Sequence, residues 1–374
     1  MDKANVYFTT FKTSGSENLL QKLKRLCVTA GMKDIDFKDK FVAIKLHFGE
    51  YGNLAFLRPN YAKVVADLVK ECGGKPFLTD CNTLYVGSRK NALDHLDTAY
   101  VNGFSPLSTG CQVIIADGLK GLDETLVPVK NGEYVKEAKI GQALMDADIV
   151  ISLTHFKGHE MAGFGGALKN IGMGGGSRAG KMEMHSEGKP FVNQKKCVGC
   201  GACYRICAHE GPVIENGKAT IDHNRCVGCG RCIAVCPKDA VCPTYGDSND
   251  IMNCKIAEYT QAVIQDKPSF HISLICDVSP NCDCHSENDI PVIPNVGMLA
   301  SFDPVALDQA CADLCNRQPV LEGSVLCDHV HAHKEEAAHE DHFHMIHPDT
   351  NWKSCVAHGV KIGLGTDQYD LVEI

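Results

Sequence analysis

The chain has 374 residues, 44% of them hydrophobic and 22% charged, with a formal net charge of −9; this is the composition of a globular protein with one large or two ordinary domains. The acidic balance, without a basic stripe, argues against a nucleic-acid surface, and no run approaches the roughly 18 apolar residues needed to cross a bilayer. Twenty-one cysteines and an N-terminus lacking the apolar core of a signal peptide point to a reducing cytoplasm.

In chain order, the apolar run 41–46 predicts a buried strand, 61–71 an amphipathic helix stopped by Gly73-Gly74, and 76–79 the next strand. Strands follow at 112–116 and 149–153, with a helix at 139–147 between them. After residue 250 come a helix at 251–265, a strand at 269–275 and a helix at 303–316. Alternation of this kind implies an α/β fold, a mainly parallel sheet flanked by helices. The rhythm stops near Pro190 and resumes near Ile251, so the expectation is an α/β domain in two parts, 1–190 and 246–374, around an insert at 191–245.

Ligands of α/β sheets bind at the carboxyl ends of strands, and three polar clusters fall there. Behind the first two strands lie His47, Glu50, Asp80, Asn82, Tyr85, Arg89 and His95, with turn and cap roles the plain alternative for Asp80 and Asn82. Behind 149–153 come His155, Lys157 and His159, then a glycine-rich stretch carrying Lys169, Asn170, Arg178 and Lys181. Glycines let the backbone approach a ligand, and the cations can neutralise an anion. Gly175-x4-Gly180-Lys181 is not a P-loop, because Met182 stands where a magnesium-binding Ser or Thr is required. Gly158 disfavours the helix that would aim His155 and His159 at one metal, so proton donation or anion contact is the expected role. Behind 269–275, Cys276, Cys282 and Cys284, with His285, are candidates for a further metal or cluster, against ordinary buried thiols.

The insert carries the most specific signal. Cys197, Cys200, Cys203 and Cys207, then Cys226, Cys229, Cys232 and Cys236, repeat one Cys-x2-Cys-x2-Cys-x3-Cys spacing 29 residues apart. Two-residue gaps curl three thiolates onto one cubane cluster while the fourth points to the other. One [4Fe-4S] cluster then takes Cys197, Cys200, Cys203 and Cys236, and a second takes Cys226, Cys229, Cys232 and Cys207. Structural zinc prefers cysteine pairs separated by a longer loop, and disulfides would need an oxidising compartment. Asn216-Gly217 between the runs reads as a tight hairpin. Residues 195–243 resemble a bacterial-type two-cluster ferredoxin of α+β fold, with Cys236-Pro237 as expected and Ala208 where the first run would carry proline. Oxygen-labile clusters suggest an anaerobic cell. The tract 328–347 is rich in histidine and acid, and a solvated, titrating surface is expected there.

The segments Lys45-Leu-His47-Phe-Gly49-Glu50, Thr79-Asp80-Cys81-Asn82, Thr154-His155-Phe-Lys157-Gly-His159, Gly165-Gly-Ala-Leu-Lys169-Asn170, Cys282-Asp-Cys284 and Phe302-Asp303-Pro304 together resemble domain-of-unknown-function family 362, in the version with an inserted ferredoxin. Gly175 and Cys81 depart from that pattern, where cysteine and threonine are usual. The resulting expectation is an iron–sulfur protein whose two clusters relay single electrons to a pocket in the α/β domain, as a reductase of undetermined substrate. His155, Lys157, His159, Lys169 and Asn170 would line that pocket, with Asp80, Asn82 and Asp303 behind them. The histidines would supply protons and the lysines would stabilise charge on an acceptor. The competing reading is an electron carrier that docks another redox protein. Residues converging on a cleft would favour the first, and residues scattered over a flat face the second.

Overall fold

The computed structural model describes residues 3–85, 87–185, 189–243, 248–332 and 341–374. The chain first lays down strands β1 (Ala4–Thr10), β2 (Phe41–Lys45), β3 (Lys75–Asp80) and β4 (Gln112–Ile115), then the hairpin β5 (Glu124–Pro128) and β6 (Glu137–Gly141). Next come β7 (Ile149–His155) and the short hairpin β8 (Lys157–His159) and β9 (Gly163–Gly165). The cysteine-rich segment holds β10 (Phe191–Val192), β11 (Pro212–Glu215), β12 (Lys218–Ile221) and β13 (Val241–Cys242). The last strands are β14 (Ser269–Ile275), β15 (Gly297–Ser301) and β16 (Tyr369–Glu373).

One eight-stranded sheet runs in the order β16-β1-β15-β14-β7-β2-β3-β4. Only β15 is antiparallel to its neighbours, β1 and β14; the other pairings are parallel. Every residue of β7 and β15 is buried, as a parallel sheet covered on both faces requires. Strand alternation separates two cores: Ile149, Ile151 and Leu153 face one with Ile44 and Leu274, while Val150 faces the other with Ala43 and Phe77. Each such fully buried aliphatic side chain contributes about 1.5–3 kcal/mol. Helices Leu19–Thr29 and Pro59–Glu71 cover the first face; Ala167–Gly175, Asn249–Ile264, Pro304–Asn316 and Lys353–Ile362 cover the second.

The strand order sets the position of the site. From β2 the chain steps outward through β3 to β4, and then returns to place β7 on the other side of β2. Connections leaving β2 and β7 therefore diverge, which opens a crevice at their carboxyl ends. Strands from before and after the cysteine-rich segment share this sheet.

Within that segment the short helices Ala202–Ile206 and Arg231–Ala234 begin 29 residues apart, each entered through a left-handed glycine, Gly201 (φ 73°) and Gly230 (φ 67°). The Asn216-Gly217 turn, with both φ positive, closes β11 onto β12, as a two-residue hairpin turn demands. β10 pairs with β13, bringing the segment's ends together. Among the described residues no helix is long and apolar enough to cross a membrane.

The helix expected at 139–147 is not what forms. Lys139 lies on β6, and the helix is only Gln142–Asp146. Ala138 and Ile140 are buried on alternate positions opposite Val127 and Thr125, so a period-two strand abutting a short helix imitates one helical stripe.

Candidate functional site

Loops behind β2, β3, β7 and β14 enclose a cavity of about 590 Å³ whose walls include Glu50, Tyr85, His159, Lys169, His185 and Cys284. A narrow recess continues toward the strand ends, walled by Lys45, Asp80, Arg89, Lys157, Lys181 and Cys282; Lys169 and Cys284 border both spaces. The recess is thus rich in cations, with Asp80 the single carboxylate among its described lining residues.

Its floor is a set of buried ion pairs. Lys45, at the end of β2, reaches Asp80 of β3 at 2.9 Å and Asn170 Oδ1 at 3.0 Å. Asn170 Nδ2 donates to the Lys45 carbonyl at 3.0 Å and to Thr154 Oγ1 at 2.9 Å, which ties helix Ala167–Gly175 across the β2–β7 crevice. Arg89 bridges Glu50 at 3.0 Å and Asp80 at 3.6 Å. Burial depresses the His95 imidazole to about 3, against Asp80, and His47 falls well below its ordinary value for the same reason. Both rings are therefore neutral near neutral pH.

Behind the wall, His155 Nδ1 meets Asp283 at 2.9 Å and Nε2 meets the Cys276 carbonyl at 2.7 Å. Both partners accept, so both ring nitrogens are occupied as donors. Lys157 Nζ donates to the His155 carbonyl at 2.9 Å and lies 3.4 Å from Asp283. Burial would raise the Asp283 carboxyl, but His155 and Lys157 outweigh it and hold the group far below the usual carboxylate range. Gly158 permits the close approach that this pairing needs, since a Cβ there would stand 2.1 Å from the Pro280 carbonyl oxygen.

The reactive character is concentrated around Cys282. Lys169 Nζ donates to its Sγ at 3.6 Å, and His159 also hydrogen-bonds to it. His159 Nδ1 accepts the N–H groups of Met161 and Ala162 at 3.1 and 3.0 Å, which leaves Nε2 to donate. A hydrogen bond from Cys284, together with Lys169 and His159 and against burial, holds the Cys282 thiol well below its ordinary range; the same pairing, with burial, raises Cys284. Glu160 and His285 stand beside them, 3.2 Å apart. Burial opposes Glu160 ionisation, yet His159 and His285 keep the carboxyl low.

In the cysteine-rich segment, Cys197, Cys200, Cys203 and Cys236 surround one small cavity, and Cys207, Cys226, Cys229 and Cys232 surround another. Backbone N–H groups point at the first sulfur set: Ala219 and Gly199 toward Cys197 at 3.3 and 3.5 Å, Ala240 toward Cys236 at 3.2 Å. Such donors favour thiolate and suit sulfur ligated to metal. The segment seats on the α/β body where Gly230 meets Arg178 and Met182, leaving no room for a side chain, and where Lys90 pairs with Asp239. Arg178 and Met182 lie on helix Arg178–His185, whose last residue reaches the large cavity.

The structure gathers Lys157, His159, Lys169 and Asn170 at the cavity and its recess, and places His155 behind the wall. Asp80 lines the recess. Asn82 is committed to Asp117 and the Gly118 carbonyl at 2.8 Å each. Asp303 caps helix Pro304–Asn316 through Val305 and Ala306, outside the cavity. The expected grouping of Cys276 with Cys282 and Cys284 does not form: Cys276 packs in the aliphatic core below the strand ends, where burial pushes its thiol up to about 12. Arg178 is spent on the carbonyls of Thr83 and Lys120 at 2.9 and 3.1 Å. In the histidine-rich tract His329, His344 and His347 contact backbone carbonyls of Met345, Thr350 and Pro280, while His333 lies outside the described residues. Tyr85, from the polar cluster behind β3, lines the cavity, as does His185, which did not stand out in the sequence. Glu160, next to His159 in the chain, offered a signal by adjacency.

Over 126 residues the chain is 30% identical to the thylakoid-associated protein sll1697 of Synechocystis, a match covering 32% of this chain and 33% of that relative. The chain thus spans about a third of that relative's length. A Thermotoga maritima protein of known crystal structure aligns with TM-score 0.42 at 13% identity, over 81% of this chain and 60% of its own. Lactate racemase apoprotein from Thermoanaerobacterium thermosaccharolyticum aligns with TM-score 0.35 at 12% identity, over 73% and 51%. At these scores neither likeness bears on chemistry. Residues 42–313 match the family described as "Domain of unknown function (DUF362)", well over half of the chain, and the protein belongs to that family.

Proposed function

We propose that this is an iron–sulfur oxidoreductase in which the cysteine-rich segment is a two-cluster ferredoxin module serving the cavity of the α/β domain. The observation that carries the reading is the pair of small cavities, each ringed by four cysteines drawn from both copies of the repeat. Cys197, Cys200, Cys203 and Cys236 would hold one [4Fe-4S] cluster, and Cys226, Cys229, Cys232 and Cys207 the other. Bound there, the clusters supply one-electron transfer. Among the described residues the donor set compact enough for a single ion, with all atoms within 4.8 Å, lies elsewhere, at Glu160, Cys284 and His285; the wider cysteine rings suit a cube.

Helix Arg178–His185 spans about 12 Å from the Cys232 end of the module to the cavity wall. At the cavity, His159 has a ring N–H to donate, Lys169 places positive charge beside Cys282, and the cationic recess suits an anionic small molecule. These groups converge on a cleft, which favours a substrate-transforming protein over a flat docking partner. A separate redox protein would exchange electrons with the module from outside.

The test is anaerobic purification of the full chain with iron and sulfide counts and EPR of the reduced protein. About eight irons per chain with two interacting signals is expected. Four irons or fewer after reconstitution would overturn the assignment.

A further inference from the structure

Outside the two cysteine rings, one group of side chains among the described residues has the composition of a metal site. Glu160 follows β8, and Cys284 and His285 lie midway along the loop between β14 and β15, Cys284 being 124 residues further along the chain. One ligand atom from each lies within 4.8 Å of the other two. Glu160 Oε1 is 3.2 Å from His285 Nε2. Among the described residues the second carboxylate oxygen, Oε2, is buried without a hydrogen-bond partner, an unfavourable arrangement unless something else satisfies it. All three side chains border the cavity of about 590 Å³.

We propose that Glu160, Cys284 and His285 form a mononuclear site for a divalent first-row transition metal. One thiolate, one imidazole and one carboxylate make a donor set of borderline softness, which suits zinc or its neighbours and disfavours magnesium or calcium. On binding, the ion would displace the Cys284 proton, so that thiolate and carboxylate together balance its charge, and it would satisfy the orphan oxygen. Three protein ligands leave a tetrahedral ion one open position, the pattern of reactive rather than structural zinc. That position would be completed by water or by an oxygen of the cavity's ligand. Lys169, on the same wall, would then stand ready for the anionic part of that ligand. Cys276 takes no part.

The inference uses none of the eight cysteines of the proposed clusters, so the two readings fail separately. The test uses the full-length, cluster-loaded chain, incubated anaerobically with zinc chloride alone, freed of unbound metal by gel filtration and assayed for zinc and iron. About one zinc per chain is expected, falling at least about tenfold in Cys284→Ala and in His285→Ala, with iron content and cluster EPR unchanged. Zinc K-edge X-ray absorption of the unaltered protein, which does not depend on any variant folding, should show one sulfur at about 2.3 Å with nitrogen and oxygen at about 2.0–2.1 Å. Three results would each overturn the proposal: no zinc retained, zinc undiminished in both variants, or a shell of four sulfurs, which would place the zinc in the cysteine rings.

Discussion

Asp283 occupies a position where the cost of an error is large. Its carboxylate neutralises His155 at 2.9 Å and Lys157 at 3.4 Å in a place sealed from water. Removing one partner from a buried pair leaves uncompensated charge and costs about 3–5 kcal/mol. Asp283→Ala should therefore lower unfolding free energy by that amount in anaerobic urea titrations; a loss below about 1 kcal/mol would mean that water reaches the pair. His155 looks catalytic in the sequence because a histidine at a strand end often is. Its two acceptors turn it into a brace that orients β8, so that His159, four residues on, faces the cavity instead. Sequence shows that both histidines stand at a strand end; it does not show which of them is already paired.

Among elements, helix Ala167–Gly175 does the most positioning. Asp308 caps its first turn through the N–H groups of Ala167 and Leu168 at 2.6 and 2.9 Å, the favourable place for a carboxylate. Its other face lies hard against helix Asn249–Ile264. A Cβ on Gly172 would meet the Ile256 carbonyl oxygen at 2.2 Å, and Thr260 donates to the Leu168 carbonyl at 2.8 Å. Gly172→Ala should force the helices apart, at a cost of about 1–3 kcal/mol, and shift Lys169 and Asn170 with them. Thermal unfolding read beside the cavity's ligand affinity would show both effects. Unchanged stability would mean that the helices slide without strain. The glycines of this stretch thus answer two needs that are indistinguishable in sequence, close helix packing at Gly172 and close loop approach at Gly158.

At the scale of the whole molecule, Glu258 joins three distant parts of the chain. Its carboxylate accepts the N–H groups of Glu133 and Val135 in the β5–β6 hairpin at 2.7 and 2.6 Å, and meets His358 of the C-terminal helix at 2.8 Å. Burial would lower the His358 imidazole, but hydrogen bonds with Cys254 and Glu258 push it up to about 9. A raised folded-state value means stabilisation that is complete below the ordinary histidine value of about 6.5 and is lost as pH climbs through about 9. The protein should lose up to about 3 kcal/mol across that window, and His358→Asn should remove the slope. Parallel slopes for the two proteins in pH-resolved denaturation would refute the link.

The amino-acid sequence by itself determined what is local or periodic. The repeated cysteine spacing, the Asn216-Gly217 turn and the buried runs of β2, β7 and β14 are set by backbone reach and by alternation along a few neighbouring residues. The flat pattern of β1 and β16, with exposed or half-buried residues interleaved, gave no such cue, and β6 followed by its short helix gave a misleading one. Tertiary structure alone decided which polar residues meet. It separated Cys276 from Cys282 and Cys284, and it brought Glu160 to His285 across 125 residues. The reason is physical: burial and partner choice depend on where diverging loops cross at the β2–β7 switch point, and that crossing is a property of strand order, to which no short window of sequence is sensitive.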